Sequence, residues 1–389
     1  MKQIGIGPRV KKLRVHRGMT QQQLAAALAK SVPWVKAFEA GGLQSDPRYS
    51  LLKDLAAALK VPMSALIDES EPVETPSVED VRAALLAPTP LHGADGLDIA
   101  RQAAYGHNAF QAGKWQDVIA LLPRLIDAAR AAEGGSGDPR ALRQLADVCH
   151  LAAITLTKSG DAPGGWAAGN EAVLRAEAAG DAVEIALSAQ SAIYAATAAG
   201  HPDVGLGIAH RVIDAFGLDL GSHGAEGISA LGMLYLKGAY AAAARGDADA
   251  AAVMIEEGRR AASMLAPDAN HLLTSFNITN VLIYEASILG DLGCYERALD
   301  VVTRISPNAF AGLSRERRIH HLVDTARSAQ RAGRPDSALN LLLQAERDDP
   351  QNIRTWAPSR AVITALLAGR QPENGQGLRA LAVRAGVAR

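Results

Sequence analysis

Residue types capable of covalent or metal chemistry are present but dispersed. The chain has 389 residues, with ten histidines and two cysteines. Cys149 and Cys294 lie far apart in alanine-rich stretches. That spacing excludes a disulfide framework and a cysteine zinc site, and it fits a reducing compartment. His320 and His321 are the one close histidine pair, and neighbours on a helix point to different faces. No glycine-rich phosphate loop follows a strand, and neither HExxH nor GxSxG occurs. No catalytic residue, metal ligand or cofactor is therefore expected, and the protein is not expected to be an enzyme. What the chain does concentrate is charge. Residues 1–67 carry eleven bases against three acids, whereas the remaining 322 hold 29 bases against 38 acids. The formal net charge is only -1, so any binding to polyphosphate must be local. A basic module ahead of a mildly acidic one points to nucleic acid.

The elements that must carry this charge are helices. Pro8 can open one that ends at Gly18. Thr20 is a good cap for TQQQLAAALAK, and Ser31 for VPWVKAFEA, where Pro33 falls in the first turn. A fourth helix is predicted over about 48–59 and a short fifth one carrying Leu66 and Ile67. Residues 68–80, DESEPVETPSVED, have six acids, two prolines and no base, and read as an extended acidic linker. No apolar run reaches the roughly 18 residues of a membrane span, and the start lacks a secretory signal pattern, so no membrane partner is expected.

Two short helices separated by about three residues form a helix-turn-helix pattern. RVKKLRVHRGMTQQQLAAALAKSVPWVKAFEAG (9–41) resembles the DNA-binding domain of the XRE family, the phage Cro and repressor type. The likeness runs over about residues 6–67. It includes Arg14 with Glu39, the TQxxLA opening, Ala29 in the tight turn and the closing VPMSALI. The resemblance implies a five-helix domain in which Gln21 contacts a phosphate and Arg14 pairs with Glu39 structurally. It implies that helix 31–40 enters the major groove, so that Lys30, Ser31, Val32, Pro33, Lys36 and Ala37 face double-stranded DNA. Val32, Pro33 and Ala37 cannot make bidentate hydrogen bonds to bases. Val32 and Ala37 can touch thymine methyls, Lys36 can reach a guanine or a phosphate, and specificity is either modest or leans on DNA shape. The alternative is a helix-turn-helix fold that has lost DNA binding and kept only a protein contact. Trp34 has two readings, packing beside a sugar-phosphate strand or filling the domain core, of which the core is favoured.

Residues 81–389 repeat internally. Glycine recurs at 113, 160, 200, 246, 293 and 333, each between alanine-rich stretches of helical length. This is one helical hairpin per repeat, and aromatic content of 4% suits close helix packing. The segment DTARSAQRAGRPDSALNLLLQAERDDP (324–350) resembles the tetratricopeptide (TPR) repeat, with Ala326, Gly333, Ala338, Ala345 and Pro350 in register. The expected architecture is all-α: the helix-turn-helix domain (1–67), the acidic linker (68–80) and a right-handed TPR-like solenoid (81–389) for sensing and dimerisation. The resemblance places inward residues 13, 10 and 6 positions before each glycine. Together with Asn277 and Arg317, which share those faces, it nominates His107, His150, Gln190, Tyr194, Tyr240, Asn277, Asn280, Arg317, His320 and Arg327 as ligand contacts. Asparagine amides can hold a peptide backbone, and Arg317 and Arg327 a carboxylate.

This domain order resembles peptide-pheromone regulators of Gram-positive bacteria and a set of actinobacterial regulators. The resemblance implies a cytoplasmic, nucleoid-associated homodimer that binds DNA and is modulated by a peptide or small-molecule effector. The alternative is an interaction scaffold whose solenoid docks a protein partner and senses no small ligand.

Overall fold

In the computed structural model, residues 6–41, 49–61, 66, 76–87, 89 and 97–388 are described. Every regular element among them is helical, as the all-α expectation requires. The chain divides into two compact units. One comprises Met1–Gly106 and Trp115–Gly134, the other His107–Lys114 and Gly135–Arg389.

The first unit begins with α1 (Ile6–His16), α2 (Gln21–Ala27), α3 (Val32–Glu39) and α4 (Tyr49–Leu59). Gly18 stops α1 with a left-handed φ of +64°. Thr20 and Gln23 then cap α2 reciprocally. The Gln23 amide donates to the Thr20 hydroxyl at 3.1 Å, and the Gln23 side-chain carbonyl accepts from the Thr20 amide at 2.7 Å. Ala29 makes the turn at φ +51°, where a larger side chain would crowd the backbone. The Ser31 hydroxyl accepts from the Trp34 amide at 3.3 Å and starts α3. Val10, Leu24, Val35, Phe38, Leu55 and Leu59 form the buried core. Each fully buried side chain of this size contributes about 1.5–3 kcal/mol. α1 and α3 touch so closely that a Cβ on Gly7 would lie 2.0 Å from the Phe38 carbonyl oxygen. Leu66 is buried in the same core, while the rest of the expected fifth helix, at 62–65 and 67, lies outside the described residues.

Residues 68–75 of the acidic segment also lie outside the described residues. Its end differs from the extended expectation, because α5 (Val78–Leu86) starts inside it. The Ser77 hydroxyl accepts from the Asp80 amide at 3.3 Å, and Asp80 Oδ2 accepts from the Ser77 amide at 2.7 Å. Glu79 and Asp80 then complement the positive end of the helix, a role that a count of acids does not reveal. α6 (Ile99–Gln111) and α7 (Trp115–Glu133) follow. Arg130 of α7 donates to the carbonyls of Ala84 (2.7 Å) and Ala87 (3.1 Å), closing the carboxyl end of α5. Gln102 of α6 donates to the Gly18 carbonyl, and Lys11 pairs with Asp117 at 3.3 Å. The helix-turn-helix segment and α5 to α7 thereby form one body, with α6 entering it through its first eight residues.

The second unit contains α8 (Pro139–Lys158), α9 (Ala162–Ala179), α10 (Ala182–Ala198), α11 (Pro202–Ser222), α12 (Gly224–Ala244) and α13 (Ala248–Ser263). It continues with α14 (Ile278–Asp291), α15 (Tyr295–Val302), α16 (Pro307–Ala311), α17 (Arg315–Arg331), α18 (Pro335–Asp348), α19 (Pro350–Thr355), α20 (Ala357–Ala368) and α21 (Gly375–Arg384). All six repeat glycines have φ between 72° and 90°, and each sits in a three-residue connection between two helices. Glycine reaches that region without the Cβ penalty, which is why it recurs there. Ala186, Ala189, Ala192, Ala230, Ala239 and Ala242 are buried at the helix contacts. Their small side chains let neighbouring backbones approach. The composition-only expectation of no span-length apolar run needs one correction. His271–Asp291 is long and apolar enough, but 61% of its most apolar window is buried inside the protein. It is a core segment of this unit.

Candidate DNA-binding face and ligand cavity

The first candidate site is the outer side of α3. Pro33 and Lys36 are exposed on it, with Lys30 and Ser31 exposed just before it. Val32 and Ala37 are half-buried, and Val32 packs partly against the core. Trp34 is also half-buried. Its ring stacks on Phe38 at 5.1 Å, and Lys30 Nζ lies 5.7 Å from its centroid. The indole thus supports the core with one face and carries a cation near the exposed side. Arg14 and Glu39 form a buried pair, with Arg14 Nε to Glu39 Oε1 at 2.5 Å and Nη2 to Oε2 at 3.0 Å. Arg14 also donates to the Met19 carbonyl at 2.5 Å, tying α1, the α1–α2 turn and α3 together. Gln21, expected to face a phosphate, is half-buried at the start of α2. Its side-chain amide donates to Glu39 Oε2 at 2.8 Å and so completes the carboxylate's shell. The exposed cations Lys30 and Lys36 remain the charged groups of this face.

The second candidate site is a partly enclosed cavity of about 300 Å³ within the second unit. Its helical walls come from the first helix of every hairpin, α6, α8, α10, α12, α14 and α17, with Trp356 and Pro358 near the start of α20. The irregular segment 272–275 borders it, with Leu272, Leu273 and Ser275 at positive φ. His107, His150, Gln190, Tyr194, Tyr240, Arg317, His320 and Arg327 all line this one cavity. Asn277 and Asn280 do not. The Asn277 side chain caps α14 by accepting from the Asn280 amide at 3.0 Å, and it donates to the Ala269 carbonyl at 3.0 Å. Asn280 is fully buried, with its amide nitrogen 3.7 Å from Met233 sulfur. Neither reaches the cavity to hold a peptide backbone, because Asn277 is spent on the helix start and Asn280 is buried in the core.

The offsets 13, 10 and 6 miss several lining residues. Ser191, Lys237, Tyr284 and Asp324 stand nine positions before their glycines, and Gln111, Lys158 and Asp291 stand two before theirs. Offsets of 13, 9, 6 and 2 describe a single helix face with spacing i, i+4, i+7 and i+11. Following that face along each helix would have found these residues in the sequence.

Charges in the cavity fall into two groups. Glu316 is engaged by Lys158, lies 3.6 Å from His320 Nε2 and 3.6 Å from Arg317 Nε. Lys158 also contacts the His320 ring, which lies 4.2 Å from Trp356. Burial and the neighbouring cations hold His320 well below the usual imidazole range. In the second group Arg327 pairs with Asp291 at 2.7 Å and approaches Asp324 at 3.6 Å, while the Ser287 hydroxyl donates to Asp324 at 3.0 Å. Burial pushes the Asp291 carboxyl up to about 6 against the pull of Arg327. Between the groups lie Tyr194 and Tyr240, whose rings are 6.0 Å apart. Burial raises both phenols, so they are neutral hydrogen-bonding groups at physiological pH. At the α6 end His107 Nε2 meets Asp147 at 2.6 Å.

Behind this wall His321 is 5% exposed and packs against Phe310, and burial pushes its imidazole down to about 4. In the unfolded chain histidine titrates near 6.5. The unfolded state thus binds more protons over that window, and the associated stability is full above it and lost as pH falls towards 4. The urea midpoint of the protein is expected to drop between pH 7 and pH 5, and to drop less in His321→Leu. An unchanged pH dependence in that variant would assign the acid sensitivity elsewhere.

Comparison with known proteins adds three findings. The chain is similar to the crystal structure of Bacillus thuringiensis PlcR in complex with the peptide PapR7 and DNA, at 15% sequence identity and a TM-score of 0.28. That likeness covers 73% of this chain and 98% of the other. No curated protein matches the chain. The helix-turn-helix family model matches residues 10–66. The matched span holds the capped α2, the Ala29 turn, α3 and the Arg14–Glu39 pair on which the resemblance rests, and residues 10–66 are therefore a helix-turn-helix domain of the XRE family.

Proposed function

We propose that the protein is a transcriptional regulator that binds double-stranded DNA through α3 and is modulated by a peptide or small molecule held in the cavity. The observation that carries this reading is the convergence of six successive hairpins on one cavity with aromatic, apolar and charged walls. Such a mixture of apolar surface and a few converging polar groups is the usual make-up of a ligand site. It favours ligand sensing over a docking scaffold and over catalysis. The protein acts as a homodimer in the cytoplasm, with two basic modules meeting half-sites about 34–36 Å apart or a multiple of that.

α6 is the element through which occupancy is felt. It gives Gln102 to the first unit, where the side chain donates to the Gly18 carbonyl, and His107, Phe110 and Gln111 to the cavity wall of the second. A ligand that binds one setting of α6 better shifts the population towards it.

Genomic-fragment selection with the full-length protein at physiological salt tests the DNA half directly. Enrichment of an inverted repeat is expected, and enrichment of nothing overturns it. The electrostatic contribution has its own test. Lys30→Ala with Lys36→Ala is expected to reduce the slope of log affinity against log salt by about one for each phosphate left without its lysine. A variant with the wild-type slope would remove α3 from the DNA interface.

A further inference from the structure

The cavity's cations outnumber the carboxylates available to them at one end. Glu316 is shared among Lys158, His320 and Arg317. Asp291 and Asp324 belong to Arg327 and Ser287. Lys237 has no ion pair with a carboxylate among the described residues. Its ammonium lies 4.4 Å from the Tyr194 ring centroid and 5.6 Å from that of Tyr284. The Arg317 guanidinium lies 5.5 Å from the same Tyr284 ring. Two cations thus converge on one phenol, and Glu316, the carboxylate beside Arg317, is also engaged by Lys158. Held partly out of water, such a pair attracts an anion more strongly than it would in bulk solvent. Tyr194, Tyr240, Ile154 and Trp356 supply an apolar and aromatic wall beside it. The volume of about 300 Å³ stands at the lower end of the range for small-molecule sites and is small for an extended peptide.

Taking the cavity as a ligand site, as proposed above, we infer that its ligand is a compact aromatic molecule bearing one anionic group, with the anion seated against Lys237 and Arg317. The anion bridges the two cations in charge-assisted hydrogen bonds, and the ring system lies against Tyr194, Tyr240 and Trp356. The inference narrows the effector from any peptide or small molecule to an aromatic carboxylate, sulfonate or phosphate.

Two fluorescent probes with the same ring system separate charge from apolar burial. One is 8-anilinonaphthalene-1-sulfonate, and the other is neutral N-phenyl-1-naphthylamine. Both are titrated into the full-length wild type, Lys237→Met and Arg317→Met, with helicity checked by circular dichroism. The wild type is expected to bind one sulfonate about tenfold or more tighter than the neutral probe. Each variant is expected to lose most of that preference while keeping its affinity for the neutral probe. Binding of both probes with equal affinity, or a sulfonate preference untouched in both variants, overturns the anion assignment and leaves the cavity as a ligand site. Failure of both probes to bind overturns the cavity reading and the anion assignment together.

Discussion

Glu39→Ala is expected to cost about 3–5 kcal/mol in the amino-terminal domain and to abolish DNA binding with it. Glu39 is 4% exposed and holds three things at once: both ends of the Arg14 guanidinium and the Gln21 amide. Removing its carboxylate leaves Arg14, itself 1% exposed, as a charge with neither water nor a counter-ion. Arginine does not escape by losing its proton, since its pKa exceeds about 12 in proteins. It must instead drag water into the junction of α1 and α3, where Gly7 and the Phe38 carbonyl already leave no slack. The check is denaturant unfolding of the variant followed by tryptophan fluorescence, with DNA binding measured in parallel. The paired replacement Arg14→Met with Glu39→Met is the informative control. It removes both charges and is expected to recover much of the stability, because the penalty comes from the orphaned partner. If the single and double variants are equally unstable, packing around the pair matters more than charge. If Glu39→Ala folds normally, the pair has no structural role.

This pair also shows what a sequence discloses. Arg14 and Glu39 are 25 positions apart, and only the XRE resemblance joined them before the structure did. Local rules sufficed for the caps at Thr20 and Ser31 and for the glycine turns of the repeats, because those depend on residues within one helical turn. The register argument then placed most of the nominated ligand residues on a common wall, since repeated hairpins present the same face in turn. It failed at Asn277 and Asn280 for a reason no periodicity contains. The α13–α14 connection is long and irregular, and Asn277 is needed there to cap α14. The bond from the Gln21 amide to Glu39 was likewise not legible, because it joins residues 18 positions apart. The cavity's charge pattern could not be read in advance. Lys158 and Glu316 meet across 158 residues, and their contact depends on the curvature accumulated over the intervening hairpins.

That contact carries the second large expectation. Lys158 and Glu316 side chains are 8% and 4% exposed. Glu316→Ala takes the carboxylate from Lys158, whose charged form burial already disfavours, and the counter-charge from Arg317. The second unit is therefore expected to lose roughly 3 kcal/mol, the lower end for a broken buried pair because lysine can shed its proton. Trp356, 4.2 Å from His320, lies next to the lesion and suits a fluorescence readout of the transition. Lys158→Met with Glu316→Met should restore only part of the loss, because it removes the orphaned ammonium while Arg317 still lacks Glu316. The variant also bears on the ligand. With Glu316 gone, Lys158, Lys237 and Arg317 face the cavity without the carboxylate that engaged Lys158 and Arg317. An anion entering that space supplies what the carboxylate did, and a bound ligand stabilises in proportion to how tightly it binds the native state. The sulfonate probe is therefore expected to raise the melting temperature of Glu316→Ala by more than that of the wild type. The neutral probe should raise both equally. Were the sulfonate to shift the two proteins alike, Glu316 would not be the counter-charge of the site. Were it to shift the variant less, Glu316 itself would be a ligand contact, and the charge complementing the anion would lie elsewhere on the wall.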